Sequence, residues 1–481
     1  MSKIKTIFVS RGFFLDWMKE LTFANLMFVI LSFLFGALII HTVPPLQAPD
    51  ELGHFVKAVA FANNQVHPQR FPKDKDYDGE RNYKYWNTFG FKVDDEIKGM
   101  NLYRAETDGK YAGYPYYDAN NPTYKGNKKI WVPTGGMTNY FFSSYIPQIL
   151  AIKTGKILKK TIIKQYYLAR YFNLFSYIII VFFAIKMFRF SKMGATLLAL
   201  NPMALFLAAS TSGDAMIIAF SFFFVSWISR MIAKEFISNK YLVISAIMMI
   251  NLVLMKPTLI VLGLLFFLIP EKTFSIRRKI FWGIGIFVAC ILFYVLWNKM
   301  MIDQQILYRD FGNPQKQVEL FLKNPMIFFG NLSKNYLFGT KGDMIVYSFA
   351  GNFGLYDVPL GLHWIVLYFT SLIIAFLVQE KEGLALSTSQ RFVTASTLIL
   401  YTLLTFFALY QIWNKPGRSE SIEGLQGRYF IPISLAVVPL FSSKSKLLNI
   451  ENKKINKILS FCIVVVLLAT IVTLSIRYPK G

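Results

Sequence analysis

Runs of about 20 apolar residues recur along this chain, and no other feature limits its fold as strongly. The first is "ANLMFVILSFLFGALIIHTV", Ala24 to Val43. At 1.5 Å of rise per residue, a helix of this length crosses roughly 30 Å of hydrocarbon with every backbone polar group satisfied internally. Further runs fall at 166–187, 194–211, 214–232, 241–255, 257–270, 279–299, 361–379, 391–412, 428–442 and 457–475. Residues are 54% hydrophobic and only 16% charged, leaving too little polar surface to solvate a globule of this size. The fold class expected is therefore an all-α polytopic membrane protein with about 11 transmembrane helices. A porin-like barrel, built from short alternating strands, is excluded.

The net charge of +25, from 52 basic and 27 acidic residues, could suggest a nucleic-acid partner. Its distribution argues for membrane topology instead. Lys3, Lys5, Arg11 and Lys19 precede the first run, and Lys186, Arg189 and Lys192 follow the second. Arg230, Lys234 and Lys240, then "EKTFSIRRK", "QEKEG" with Arg391, and the basic loop 444–457 continue the alternation. By the positive-inside pattern these loops are cytoplasmic, the first run is a retained span, and the N-terminus is inside. Two long segments, 44–165 and 301–360, then lie outside. The organisation expected is a membrane module over 1–300 carrying the outer loop 44–165, a second outer loop over 301–360, and C-terminal transmembrane helices over 361–481. The ring-rich outer segment reads as a lid on the membrane between the first and second spans. Its end, 139–160, reads as an interfacial helix or a marginal extra span. Runs five and six meet at "LMKPT", where Pro257 favours a hairpin with Lys256 pointing outward. Cys290 and Cys462 sit inside apolar runs and suit core or lipid-facing positions better than a disulfide.

The candidate chemistry begins directly after the first run, in "PPLQAPDELGHFVKAVAFA". Leu52, Phe55, Val56 and Val59 form an apolar stripe suited to a helix lying on a bilayer, with Asp50 and His54 four apart on one face and Glu51 pointing elsewhere. Two acids behind a proline also suit a helix N-terminus without further purpose. Asp214, in "AASTSGDAMII", falls close to the bilayer, where a buried charge costs roughly 2.5 to 3.5 kcal/mol, unless the turn surfaces into water and caps the next helix. Arg170, Lys256 and Arg428 put three cations at the same face, each of which could snorkel to headgroups. Acids and cations together at one level suit group transfer from a lipid phosphate: a carboxylate takes the acceptor's proton while the cations stabilise the leaving phosphate. No GxxxxGK[ST], dinucleotide fingerprint, GxSxG or HExxH motif competes, and four histidines make a zinc cage a poor fit.

"PPLQAPDELGHF", "YYLARYFNL", "LNPMALFLAASTSGD", "LMKPT" and "GLQGRYFIP", in that order, resemble the bacterial membrane proteins of domain-of-unknown-function family 2142, over Pro44 to Pro432. That family looks like a branch of the GT-C glycosyltransferases, integral membrane enzymes that take a sugar from a polyprenyl phosphate outside the cytoplasm. The resemblance implies a GT-C-like architecture in a bacterial cell membrane, with an extracytoplasmic site. It implies Asp50 as the leading catalytic base and Glu51 as the second, with Lys256, Arg428 and Arg170 near the donor phosphate. The expected substrate contacts are His54, Asp214, Tyr145, Gln426 and Tyr429. It allows a divalent cation, Mg or Mn, and implies a polyprenyl-phosphate sugar donor, a cell-surface or cell-wall glycan acceptor and membrane lipids as partners, with no nucleic acid. A transporter or flippase of a lipid-linked sugar, and a non-catalytic member of a glycan assembly complex, are the alternatives. A transporter should carry charges deep in several spans and often a two-half repeat, neither of which is seen.

Overall fold

The computed structural model describes residues 22–70, 89–97, 128–301, 313–378, 384–417, 422–443 and 452–479. The N-terminal lysines, the ring-rich stretches 76–88 and 111–124, the "QEKEG" turn and residues 444–451 of the basic loop lie outside the described residues.

Helix α1 (Phe23–Thr42) starts at a capping box, the Thr22 and Asn25 side chains each accepting the other's backbone N–H. It stops at Val43 because Pro44 and Pro45 supply no N–H and disfavour helix before them. Turns over 44–50 lead into α2 (Glu51–Ala62). The expectation that α2 lies on the bilayer by an apolar stripe is corrected: Gly53 to Ala62 are all buried, on every side of the helix. Part of the cover comes from a small antiparallel sheet, β1 (Gln69–Arg70), β2 (Phe89–Asp94) and β3 (Lys129–Pro133), in the order β1-β2-β3, and the rest from the helices that follow it. Phe91 pairs with Val132 and Val93 with Ile130, and Phe91 and Val93 are buried in one cluster with Phe55, Val59 and Phe61 of α2. The outer segment is thus not purely helical.

Two 3₁₀ turns, Gly135–Asn139 and Phe142–Tyr145, precede α3 (Ile146–Ile157). Its 12 residues extend about 18 Å, well short of a hydrocarbon core of roughly 30 Å, so 139–160 is not one continuous span. Ile146, Leu150 and Ile157 are exposed on its outer face while Gln148, Ala151 and Ile152 are buried, as an interfacial helix requires.

Among the described residues that follow, the elements are helical apart from a two-residue-strand hairpin, β4 (Asn352–Phe353) with β5 (Val358–Pro359). Helices α4 (Ile162–Met187), α5 (Lys192–Ala199), α6 (Pro202–Ala208), α7 (Asp214–Ile232) and α8 (Asn239–Met255) are followed by a 3₁₀ helix, Pro257–Leu268. The third apolar run is broken in two because the Asn201 side chain accepts the Met203 and Ala204 N–H groups at 2.8 and 3.1 Å, with Pro202 in the first helical position. α8 and the 3₁₀ helix pack against each other, the hairpin expected around Pro257. Then come α9 (Ile276–Met301), α10 (Pro314–Lys323), α11 (Pro325–Leu332), α12 (Lys341–Ala350), α13 (Leu362–Leu377) and α14 (Thr388–Trp413). Residues 427–441 wind as 3₁₀, α15 (Ile431–Ser434) and 3₁₀ again before α16 (Asn452–Arg477).

Among the described residues, α1, α4, α7, α9, α14 and α16 are long and apolar enough to cross a membrane, and α8, Pro257–Leu268, α13 and Gly427–Phe441 are shorter apolar helices. Each of the apolar runs read from the sequence falls on one of these, or for the third on α5 and α6 together. This is a multi-pass membrane protein of helical build. α4 lies between α1 and α7, the 3₁₀ helix lies on α14, and α16 packs on α1 and α13. The basic turns gather at one end: Leu384 donates to the Arg189 carbonyl, Thr273 to that of Lys234 and Arg278 to the Asn239 side chain. At the other end Asp50, just before α2, and Asp214, at the N-terminus of α7, are joined through Arg428.

Candidate functional site

Asp50 precedes α2 in the left-handed region, φ 57°, which Asp tolerates better than most residues. That turn takes its carboxylate away from the α2 N–H groups, to which it makes no capping bond. Its partner is Arg428, whose Nη2 donates to Asp50 Oδ2 at 2.8 Å while Nη1 donates to Asp214 Oδ2 at 2.8 Å and Nε to Gln426 Oε1 at 2.7 Å. The guanidinium is 3% exposed, the Asp214 side chain 14% and the Asp50 side chain 50%, so Asp50 is the open face of the group. Partial enclosure pushes the Asp50 carboxyl up, but Arg428 outweighs it and holds the group below the usual carboxylate range.

The rings of Tyr356 and Tyr429 lie 5.7 and 5.2 Å from the guanidinium carbon. Tyr356 also has positive φ, 71°, an outlier for a bulky residue, and its hydroxyl donates to Gln426. Lys256, extended between α8 and the 3₁₀ helix, places Nζ 4.6 Å from the Tyr429 ring centre. Among the described residues its ammonium has no carboxylate or carbonyl bound to it.

Beneath this cluster a second group sets its shape. Glu51 is buried and saturated: Arg170 Nε and Nη2 each reach one of its oxygens at 3.1 Å, and the Thr211 and Ala48 N–H groups donate to it at 2.9 and 3.0 Å. Arg170 also donates to the Val43 and Pro44 carbonyls at 2.6 and 2.9 Å, tying the end of α1 to α4. Neither side chain faces open space, and Arg170 and Arg428 are enclosed rather than snorkelling. The "STSGD" turn is likewise buried, not in water. Asn173 donates to the Ser210 and Ser212 carbonyls at 2.8 and 3.1 Å and Gln148 to that of Thr211 at 3.2 Å, so Asp214 leaves a clamped turn. Gly213 packs tightly there: a Cβ would lie 3.1 to 3.4 Å from the Ser144 and Tyr145 side chains, which would have to shift by a few tenths of an ångström.

His54, fully buried, meets the Tyr145 hydroxyl at 2.7 Å through Nδ1, and the Gly213 N–H points at the same nitrogen at 3.4 Å. An amide only donates, so Nδ1 accepts and the ring hydrogen sits on Nε2. Burial lowers the His54 pKa to about 4, against the pull of Asp214 and Asp50. One turn on, Lys57 is buried with no carboxylate: its ammonium donates to the carbonyls of Met137 at 2.6 Å, Thr138 at 2.8 Å and Tyr140. Burial holds that amine well below its ordinary value.

No three His, Cys, Asp or Glu side chains among the described residues are grouped to hold a metal ion. Asp50 and Asp214, the two acids that converge, spend their facing oxygens on Arg428. Over residues 33–437 the sequence matches the family described as predicted membrane protein, DUF2142. The chain belongs to the DUF2142 family. No curated protein and no solved structure gives a significant match.

In this DUF2142 protein, six of the residues singled out from sequence share the open cluster: Asp50, Asp214, Lys256, Gln426, Arg428 and Tyr429. His54 and Tyr145 form the layer below, and Glu51 with Arg170 the layer behind the turn. Lys57 and Tyr356 were not legible as site residues. Lys57 has a signal, a lone charge among the apolar residues of "FVKAVAFA" in α2, whereas Tyr356 sits in the turn between β4 and β5 with no motif around it.

Proposed function

We propose that this DUF2142 protein is an inverting glycosyltransferase that moves a sugar from a polyprenyl-phosphate donor to a cell-surface or cell-wall glycan, at the extracytoplasmic end of the bundle. The observation that carries the reading is a half-exposed carboxylate, Asp50, held by Arg428 in one cluster with Lys256, whose ammonium no described carboxylate touches, close to an apolar groove. The groove has a volume of about 530 Å³ and is lined by Ile260, Leu264 and Phe267 of the 3₁₀ helix, Gly283 and Phe287 of α9 and Leu404 of α14. Its near end begins at Ile260, four residues beyond Lys256, roughly 8 Å at 2 Å per residue. A lipid phosphate at Lys256 would have its hydrocarbon tail laid along this groove, between helices of membrane-crossing character.

The step is a single displacement. The acceptor hydroxyl oxygen bonds to the anomeric carbon, its proton passes to Asp50, and the bond from that carbon to the phosphate oxygen breaks. The polyprenyl phosphate leaves with the electron pair, stabilised by Lys256 and by the N–H groups of Arg428 not taken by Asp50, Asp214 and Gln426. Arg428 keeps Asp50 ionised before the acceptor arrives. Tyr356 and Tyr429 offer rings for the sugar. Glu51 and Arg170, saturated by one another and by backbone groups, take a holding role in this reading in place of the second base and third phosphate contact expected from sequence. The orientation rests on the positive-inside alternation, with the basic turns at the end opposite the site.

The test is the purified protein in liposomes, offered one radiolabelled sugar either on polyprenyl phosphate or as its nucleotide. Transfer from the lipid donor alone is expected. Transfer from the nucleotide sugar with no lipid carrier would overturn both donor class and orientation.

A further inference from the structure

We infer that Arg428 occupies, between Asp50 and Asp214, the place a divalent cation would otherwise take, so that this site neither needs nor binds one. The inference rests on the site assigned above and not on the group transferred there. Two carboxylates brought together from distant parts of a chain need a cation between them, and Mg²⁺ or Mn²⁺ with oxygen ligands is a common answer. Here the cation is built in. One Oδ2 from each acid receives one guanidinium nitrogen, both at 2.8 Å, and the third nitrogen is anchored on Gln426 at 2.7 Å. A guanidinium presents its N–H groups in a fixed plane, so one side chain can meet all three partners at once.

The backbone that carries the arginine is held in place. Gly427 lies against α12 so closely that a Cβ would stand 1.9 Å from the Ile345 carbonyl oxygen, and its N–H donates to Ser348 Oγ at 2.6 Å. That contact fixes the backbone next to Arg428, while Tyr356 and Tyr429 flank the guanidinium. Charge gives the same answer. Asp50 and Asp214 carry two negative charges, and Arg428 with Lys256 already supplies two positive ones, so a divalent ion would enter a balanced cluster beside two cations. The single negative charge of a phosphodiester enters it far more easily. A guanidinium also stays charged throughout the biological pH range and is covalently part of the chain, so the site is assembled without regard to metal supply.

The test is Mn²⁺ binding to the purified full-length chain without substrate, followed by electron paramagnetic resonance, for the natural protein, Asp50→Asn, Arg428→Gln and the double variant. The natural protein and Asp50→Asn are expected to bind Mn²⁺ identically, whatever acids elsewhere contribute. Arg428→Gln should gain a site, with affinity raised about ten-fold or more over that background, and the double variant should lose it. A Mn²⁺ ion held by the natural protein and lost in Asp50→Asn would overturn the inference, as would a folded Arg428→Gln variant with no added site. The comparison of the natural protein with Asp50→Asn stands even if Arg428→Gln does not fold. No step uses a sugar donor, so a failure of glycosyl transfer would count against the proposed function and leave this inference in place.

Discussion

Asp50 and Glu51 are neighbours in sequence with opposite environments, and the difference separates what substitutions at them should do. Glu51→Gln leaves the Arg170 guanidinium buried without its counter-charge, a change that costs about 3 to 5 kcal/mol, so a marked fall in thermal midpoint is expected in detergent. Asp50→Asn, at a half-exposed carboxylate, should leave that midpoint nearly unchanged. From sequence alone Glu51 ranks as the milder substitution, because it faces away from Asp50; being turned inward is what makes it costly. Acid should destabilise the fold through the same residues. Between its ordinary pKa of 6.5 and its folded value of about 4, His54 takes a proton in the unfolded chain and rejects it in the folded one, so stability falls as pH drops through that window. Asp50 and Glu51, held below their ordinary values of 3.8 and 4.5, act in the same direction at lower pH. Unfolding midpoints measured from pH 7 to pH 4 should decline, and His54→Gln should flatten the upper part of that decline.

At the level of elements, hydropathy and charge located the apolar stretches, and the break at "NP" follows local capping rules. The 3₁₀ winding of Pro257–Leu268 was not legible, because "PTLIVLGLLFFL" is apolar at nearly every position and a uniform run carries no period to tell 3.0 from 3.6 residues per turn. Nor was the pairing within the site. The residues stand out singly, but Arg428 joins Asp50 across 378 positions of chain and Asp214 across 214, and such distant partners leave no local signature. The clamp on the 427–441 segment gives an element-level prediction. Gly427→Ala drives a methyl into the α12 backbone, so it should displace Arg428 and abolish transfer. A limited-proteolysis pattern changed around 341–350 and 422–430 would mark that displacement, and an unchanged pattern with full activity would contradict the close contact.

Across the whole molecule, a polar cluster at one end of a helical bundle stands near an apolar groove lined by the 3₁₀ helix, α9 and α14. Gly283 lines the groove, and a Cβ built on it meets nothing within 4 Å, so Gly283→Phe should fit without clash while taking space from a lipid tail. Its expected effect is a raised KM for a long-chain donor, a smaller change for a short-chain analogue, and an unaltered thermal midpoint; equal effects on both donors would remove the groove from the account. Proton transfer from the acceptor to Asp50 is tested most directly by the rate of sugar transfer from polyprenyl phosphate by Asp50→Asn, with thermal midpoint measured on the same preparation. A loss of about 100-fold or more at an unchanged midpoint is expected. A well-folded Asn variant that transfers sugar at close to the natural rate would contradict it.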